Sequence, residues 1–507
     1  MATLLEELEG WKRRYGGEPE PLLRLLDEAG RTSTRTAAEL IRLHETLLFL
    51  RAYPPSRAVA EACDALLAGF RQRVQALEEG AEALEEPEVS GIAGTAVTAI
   101  FSYEAARALA ARHGTEIDIA WEHCPEPDSF GPLLAAVFPA AREEWPVEAH
   151  FPARAWVEGA KKPGQTCLQW ILSKLERLEG PRERRAELYG SARVMLSWRL
   201  GDSRATRTRM RRGEAAFFHT EPLIPRRAVH LEAEFAGPEL PVRRLSATEA
   251  REALAMIHDT SAVRYRELYG FNFPDSRRVY SADAGRGVEI LFFGAAPEAR
   301  LPLRAYHAGM FFKNGVPAGY VEVLSFLERA EVGFNLYYTF REGETAWIYA
   351  KVLQLCRQLL GVTAFWVDPY QIGHENEEAI ESGAFWFYRK LGFRPVVPEV
   401  AQVAQREERR LQAHPGARTP ARLLRRLAAS PMIYESPRAP IGDWDRFHIR
   451  RLALAPWPLR VRRRFEEHAR LKRTGDETRY LRALQADEWL RAEILRLGSG
   501  SAADFAK

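Results

Sequence analysis

"AFWFYRKLGFRPV", residues Ala384 to Val396, decides how the rest of the chain is read. Its first half spaces aromatic residues as a short helix does, Gly392 ends that helix, and "FRPVV" resumes as a strand. Aromatic side chains at this spacing ordinarily pack a core. Tyr388 differs from its phenylalanine neighbours by one hydroxyl, so it has two readings: core aromatic, or a proton donor beside a reacting group.

Upstream, the elements fall into a regular order. "PVRRLS" from Pro241 reads as a strand and is followed by a helix. "RAYHAGMFF" and "AGYVEVLSF" are extended runs joined through Asn314-Gly315, a dipeptide that accepts the positive φ values of a tight hairpin turn. "EVGFNLYY" from Glu331 is apolar on both faces, as a central strand is. "ETAWIYAKVLQLCRQLL" is a helix with Tyr349, Val352, Leu353, Cys356 and Leu360 on one face and Gly361 at its end. "VTAFWV" is a buried-type strand stopped by Asp368-Pro369. Residues 241–400 thus read as strand, helix, three antiparallel strands, helix, strand, helix, strand. The fold class is α/β (α+β): a mixed, mainly antiparallel sheet flanked by helices.

The flanks have another character. "ELIRLHETLLFLRAY" and "AVAEACDALLAGFRQRVQALEEGAEALEE" are helical in period, so 1–88 forms a helical region. Residues 89–240 mix a helix at Tyr103–His113 with extended runs in "EIDIAW", "ARVMLSWRL" and "AVHLEAEF". Beyond Val400 the chain turns helical and basic, and "GSGSAADFAK" reads as a disordered tail. No fixed-period repeat is present.

At 507 residues the chain is too long for one core. It is 46% hydrophobic and 28% charged, and 72 Lys+Arg against 69 Asp+Glu leave only +3, so charge alone argues for neither nucleic acid nor membrane. Four scattered cysteines form no metal-type spacing or disulfide framework and fit a reducing compartment. The acidic start "MATLLEELEGWKRRYGG" is no signal peptide, and no apolar run reaches membrane-spanning length. The expectation is a cytoplasmic, soluble protein.

The order of elements over 241–400, with Ala384, Phe387, Tyr388, Lys390, Leu391, Gly392 and Phe393 matching A-x-x-L-Y-x-K-L-G-F with Phe for Leu, resembles the GCN5-related N-acetyltransferase (GNAT) superfamily. The asparagine that often starts that helix is replaced by Glu381. The resemblance implies an acyltransferase moving an acyl group, acetyl first, from acetyl-CoA or another acyl-CoA to an amine on a small molecule, peptide or protein, without a metal. It implies a loop of type (Q/R)-x-x-G-x-(G/A) whose backbone amides, with the next helix's N-terminus, hold the pyrophosphate; such amides and the helix dipole favour anions generally. Here that loop is "YTFREGETAW". One register runs from Arg341 to Ala346 and places Glu344 at the central glycine. The other centres Gly343 between Phe340 and Thr345. Tyr338, Phe340, Arg341, Gly343, Glu344, Thr345 and Ala346 are therefore the coenzyme candidates. Glu342 and Glu344 oppose a pyrophosphate unless they face solvent, and they also suit a helix's first turn.

The resemblance makes Tyr388 the general acid for the leaving thiolate. For the base, Glu322 shares a strand face with Tyr320 and Leu324, where apolar surroundings raise a carboxyl pKa; Glu331 is second, and ordered water is a third route. A different donor, aminoacyl-tRNA, suits an altered loop and basic flanks, and RNA is then a partner. A catalytically silent binding module is the remaining alternative. His374 among the carboxylates of Asp368–Ser382 borders the acceptor side in such a fold. "WEHCPEPD" (Glu122, His123, Cys124, Glu126, Asp128) reads as structural, "SGIAGTAVT" lacks the lysine of a phosphate loop, and "RATRTRMRR" reads as a solvated basic face.

Overall fold

The computed structural model describes residues 1–77, 79–125, 127–148, 150–437 and 444–500. It divides into two compact units, residues 1–220 with 251–272, and residues 221–250 with 273–507. Each unit draws on more than one of the regions that composition and period distinguish. Among the described residues no helix is long and apolar enough to cross a membrane.

The first unit has two cores. Helices Ala2–Gly10, Glu20–Arg31, Ala37–Ala52 and Arg57–Ala68 bury a leucine-rich cluster. The long helical run expected after residue 57 is interrupted: Gly69 caps one helix and Phe70–Gln75 begins another. The second core surrounds an antiparallel sheet of β1 (Ala96–Ile100), β2 (Ile117–Ile119) and β3 (Met195–Arg199), in the order β1-β3-β2, with helices Tyr103–His113 and Cys167–Arg177 packed on it.

The second unit is built on a nine-stranded sheet, ordered β11-β12-β10-β9-β8-β7-β6-β5-β4. Its strands are β4 (Val242–Arg244), β5 (Pro274–Gly285), β6 (Val288–Ala295), β7 (Ala305–Lys313), β8 (Val316–Phe326), β9 (Arg329–Leu336), β10 (Ala364–Val367), β11 (Arg394–Pro395) and β12 (Met432–Glu435). All neighbours are antiparallel except β9 and β10. The protein is thus a mixed α/β structure with a large, mainly antiparallel sheet flanked by helices.

Asn314 (φ 47°) and Gly315 (φ 77°) close the β7–β8 hairpin as their sequence indicates. The helix Thr345–Leu360 ends at Gly361 (φ 71°), and Tyr349, Val352, Leu353, Cys356 and Leu360 are all buried. The Tyr349 ring meets Phe334 of β9, which stacks on Phe311 of β7 with centroids 5.1 Å apart.

Four readings need correction. Five antiparallel strands, β5 to β9, follow the helix Ala247–Ala262 where three were expected, and β12 inserts between β10 and β11. "AVHLEAEF" is not extended: Leu231–Ala236 is a helix whose i,i+4 pair Leu231 and Phe235 is buried. The basic run 204–212 is no solvated face, because Arg207 is buried on Glu45. Gly498–Gly500 is ordered, because a bridge joins Phe447 to Ser499 and the Gly500 N–H donates to the Arg446 carbonyl at 2.8 Å. The rest of the expected disordered tail, and Glu126, lie outside the described residues.

Candidate functional site

The parallel pair β9–β10 is short. Arg329, Ala330 and Glu331 face Ala364, Phe365 and Trp366, and from Val332 onward that edge of β9 has no strand beside it. An unpaired edge presents peptide groups that must find partners. Gln371 supplies them. Its Nε2 donates to the Val332 carbonyl at 3.2 Å, and its Oε1 accepts the Phe334 N–H at 3.4 Å. Gln371 is held there because Asp368 caps the short helix Pro369–Ile372, accepting the Tyr370 N–H at 2.9 Å.

Tyr388 meets the same carboxamide, donating its hydroxyl to Gln371 Oε1 at 3.1 Å. The helix Ala384–Arg389 positions it, and its ring packs edge-on against Tyr349 and Phe393. Burial pushes the phenol pKa up, so Tyr388 keeps its proton at neutral pH. The ring of Tyr388 is therefore core, and its hydroxyl is aimed at Gln371 on the open edge of β9.

Gly333 leaves space beside this group. A Cβ there would stand 3.3 Å from Gln371 Nε2 and 3.7 Å from the Glu322 Cβ. Glu322 is opposite Gly333 in the β8–β9 register and is half-buried. Its carboxylate accepts the Tyr306 hydroxyl. Glu331 is one step along the same face of β9. Burial raises its pKa against the pull of Arg329 and Arg304, and Arg304 stands 3.4 Å away. Glu322 and Glu331 thus share the sheet face around Gly333, whereas Tyr388 reaches the edge of β9 through Gln371.

The loop after β9 divides its acids. Glu342 is exposed, whereas Glu344 is fully buried. Glu344 does not face an incoming anion: Lys313 Nζ donates to its Oε2 at 3.1 Å, Arg286 pairs with its Oε1 at 2.5 Å, and the Ile224 N–H donates at 3.1 Å. Arg286 (φ 51°) and Gly287 (φ 71°) form the β5–β6 turn, and the Asn314 N–H donates to the Gly287 carbonyl at 2.7 Å. Two hairpin tips are therefore tied together beneath the start of the Thr345–Leu360 helix. Burial pushes the Glu344 carboxyl up, but Lys313 and Arg286 outweigh it and hold it ionised. Burial also brings the Lys313 amine down to about 8.

Phe340 is buried in the core, and Ala346 is nearly so. Tyr338 is exposed, with the Arg341 guanidinium 5.4 Å from its ring, and Arg341 also pairs with Glu378. The Thr345 hydroxyl donates to the Arg341 carbonyl at 3.3 Å. The amides of Thr345, Ala346 and Trp347 donate to no group among the described residues. These are the first-turn donors that a helix leaves without intrahelical acceptors.

Elsewhere the sequence candidates are structural. Asp368 and Asn376 are helix caps, and His374 is exposed. Glu122 pairs with Arg154, and Cys124 is a buried thiol whose pKa is raised by burial. Gly91 abuts Val263 and Arg207, so the "SGIAGTAVT" glycines serve packing. In 204–212, Arg207 is buried on Glu45, Arg209 binds Asp202 and Arg211 binds Asp64. Among the described residues no group of three or more His, Cys, Asp or Glu side chains is placed to hold a metal ion. Sequence reasoning missed Gln371, Lys313 and Arg286; only the glycine on each side of Arg286 hinted at a turn. Comparison with models of protein families, with curated proteins and with solved structures finds no match for this chain.

Proposed function

We propose that the second unit transfers an acyl group from an acyl-CoA to an amine, in the manner of the GNAT superfamily that residues 384–393 resemble. The observation that supports it most is the meeting of the Tyr388 hydroxyl with the open edge of β9, beside the Thr345–Leu360 helix whose first amides are unspent. An acyl-CoA supplies the acyl group as a thioester, its phosphates suiting those amides. Glu344 does not oppose them, because Lys313 and Arg286 neutralise it. Tyr388, protonated at neutral pH, holds the proton that a leaving thiolate takes. Glu322 accepts the proton that the attacking amine loses, with Glu331 the second candidate for that step. Gln371 occupies the edge that an extended, amide-bearing chain would pair with, so it must swing aside.

The position of Gln371 also favours a second reading, a catalytically silent binding module whose opening is permanently filled. Calorimetry with acetyl-CoA, CoA and a tRNA pool separates the readings. Acyl transfer requires acetyl-CoA to bind, Gly343→Asp to abolish that binding by placing a charge in the loop, and Gln371→Ala to preserve it. Absence of coenzyme binding to both wild type and Gln371→Ala sinks the acyl-CoA reading. Salt-sensitive binding of tRNA alone moves the donor to aminoacyl-tRNA.

A further inference from the structure

A cavity of about 380 Å³ lies in the second unit against β5, β6 and β7 and the first turn of the helix Glu477–Ala486. Small-molecule sites typically measure roughly 300–1,000 Å³. None of its lining residues belongs to the β9–β10 opening, so the cavity is a separate place in the same unit.

One wall is the stacked pair Phe292 and His307, with centroids 5.2 Å apart and ring planes within 3°. His307 is 4% exposed, its Nδ1 is buried without a partner, and the ring makes no hydrogen bond among the described residues. A buried polar group left unsatisfied is costly, so it asks for a partner from outside the chain. Gly294 keeps the ring edge uncovered: a Cβ there would stand 3.6 Å from His307 Nε2 and 3.0 Å from Glu477 Oε2. Its φ lies outside the left-handed region, so glycine is needed for room rather than for backbone shape.

The charges around the cavity are mostly spent. Asp275 takes Arg278, Arg300 and the Arg277 N–H. Glu477 takes the Ala295 and Tyr306 N–H groups, both at 3.1 Å. Asp476 caps its helix on the Arg479 N–H at 2.6 Å, and Arg482 donates to the Gln358 carbonyl at 3.0 Å. Among the described residues the Arg479 guanidinium has no acceptor, and the Thr478 and Tyr280 hydroxyls have no partner. The unspent groups are one cation, two hydroxyls and an imidazole, on an apolar floor that includes Phe293 and Leu359. Arg278, Arg300, Arg479 and Arg482 stand against Asp275, Asp476 and Glu477 in these walls, and the single positive charge left over matches one carboxylate better than a doubly charged phosphate.

We infer that this cavity binds a small monocarboxylate with a flat apolar body, its carboxylate on Arg479 and Thr478 and its body over Phe292 with its inner edge against His307. Burial, reinforced by Lys472 and Arg300, holds the imidazole pKa down to about 3. His307 is therefore neutral and offers one donor and one acceptor without contesting the charge.

Calorimetry on the full chain with 2-naphthoate and with 2-naphthamide, the same body without the charge, tests this. Naphthoate should bind at one site and at least about tenfold more tightly than the amide, the lower end for a charge-assisted hydrogen bond. Arg479→Gln should remove that preference and leave the amide unchanged. His307→Phe keeps the stack and should weaken both compounds. No binding of either compound, equal affinity for the two, or naphthoate binding unaffected by Arg479→Gln overturns the inference. Arg479 is exposed, so its variant decides even if His307→Phe fails to fold.

Discussion

Lys313→Met cuts into the buried network under the Thr345–Leu360 helix. Methionine keeps the unbranched apolar stem and removes only the amine, which has no solvent exposure and donates to Glu344 at 3.1 Å and to the Arg286 carbonyl at 2.6 Å. Breaking one side of a buried ion pair costs about 3–5 kcal/mol. Arg286 and the Ile224 N–H still hold Glu344, so the lower end, about 3 kcal/mol, is expected. Glu344→Gln strands a fully buried ammonium and belongs at the upper end, about 5 kcal/mol. The double variant should cost less than the two singles together, by about 2 kcal/mol of coupling. A chain of two compact units has no single unfolding free energy, so the readout is native-state hydrogen exchange on peptides from β7 and from the 345–360 helix. A single-variant loss below about 1 kcal/mol, or strict additivity, would refute the claim that this pair anchors the helix.

Tyr388→Phe loses one neutral hydrogen bond to Gln371, worth about 1 kcal/mol, and keeps the ring. If the hydroxyl is the general acid, turnover of acetyl-CoA, followed by thiol release, falls about 10²–10⁴-fold; unchanged turnover makes the tyrosine core only. Gly319→Ala places a methyl 2.2 Å from the Asn335 carbonyl and 2.3 Å from the Phe311 ring. It should abolish exchange protection across β8 and β9, since a paired strand cannot yield that distance, and retained protection contradicts the register. In the first unit burial lowers the pKa of His44 from 6.5 to about 4 despite Glu45 beside it. The unfolded chain then takes up its proton first, so stability is full above 6.5 and falls as pH drops from 6.5 to about 4. Each pH unit in that window costs up to about 1.4 kcal/mol. Thermal melts of the first unit that stay flat across the window would show that His44 is not buried neutral.

What the sequence settles by itself are features governed by one or two residues or by a short period. Asn314-Gly315 names its own turn because few other residues tolerate positive φ at both positions, and Gly361 ends its helix for the same reason. The face of Tyr349, Val352, Leu353 and Cys356 follows from the helical period, whereas β9, expected to be apolar on both faces, carries Glu331, Gly333 and Asn335 half-buried on one of them. Against this, the β5–β6 hairpin turns on Arg286, a residue type that seldom adopts φ near 51°, so only the glycine on each side of it hints at the turn. Arg207 reads as surface charge until Glu45, 162 positions away, is beside it. Glu344 reads as a helix-start acid, yet its partners Lys313 and Arg286 are 31 and 58 positions upstream. Gln371 has no motif, and its role exists only because β9 and β10 part after three residues. Local backbone preference is written in neighbouring residues, whereas the partner of a buried charge or an open strand edge is chosen by which distant segments the fold brings together.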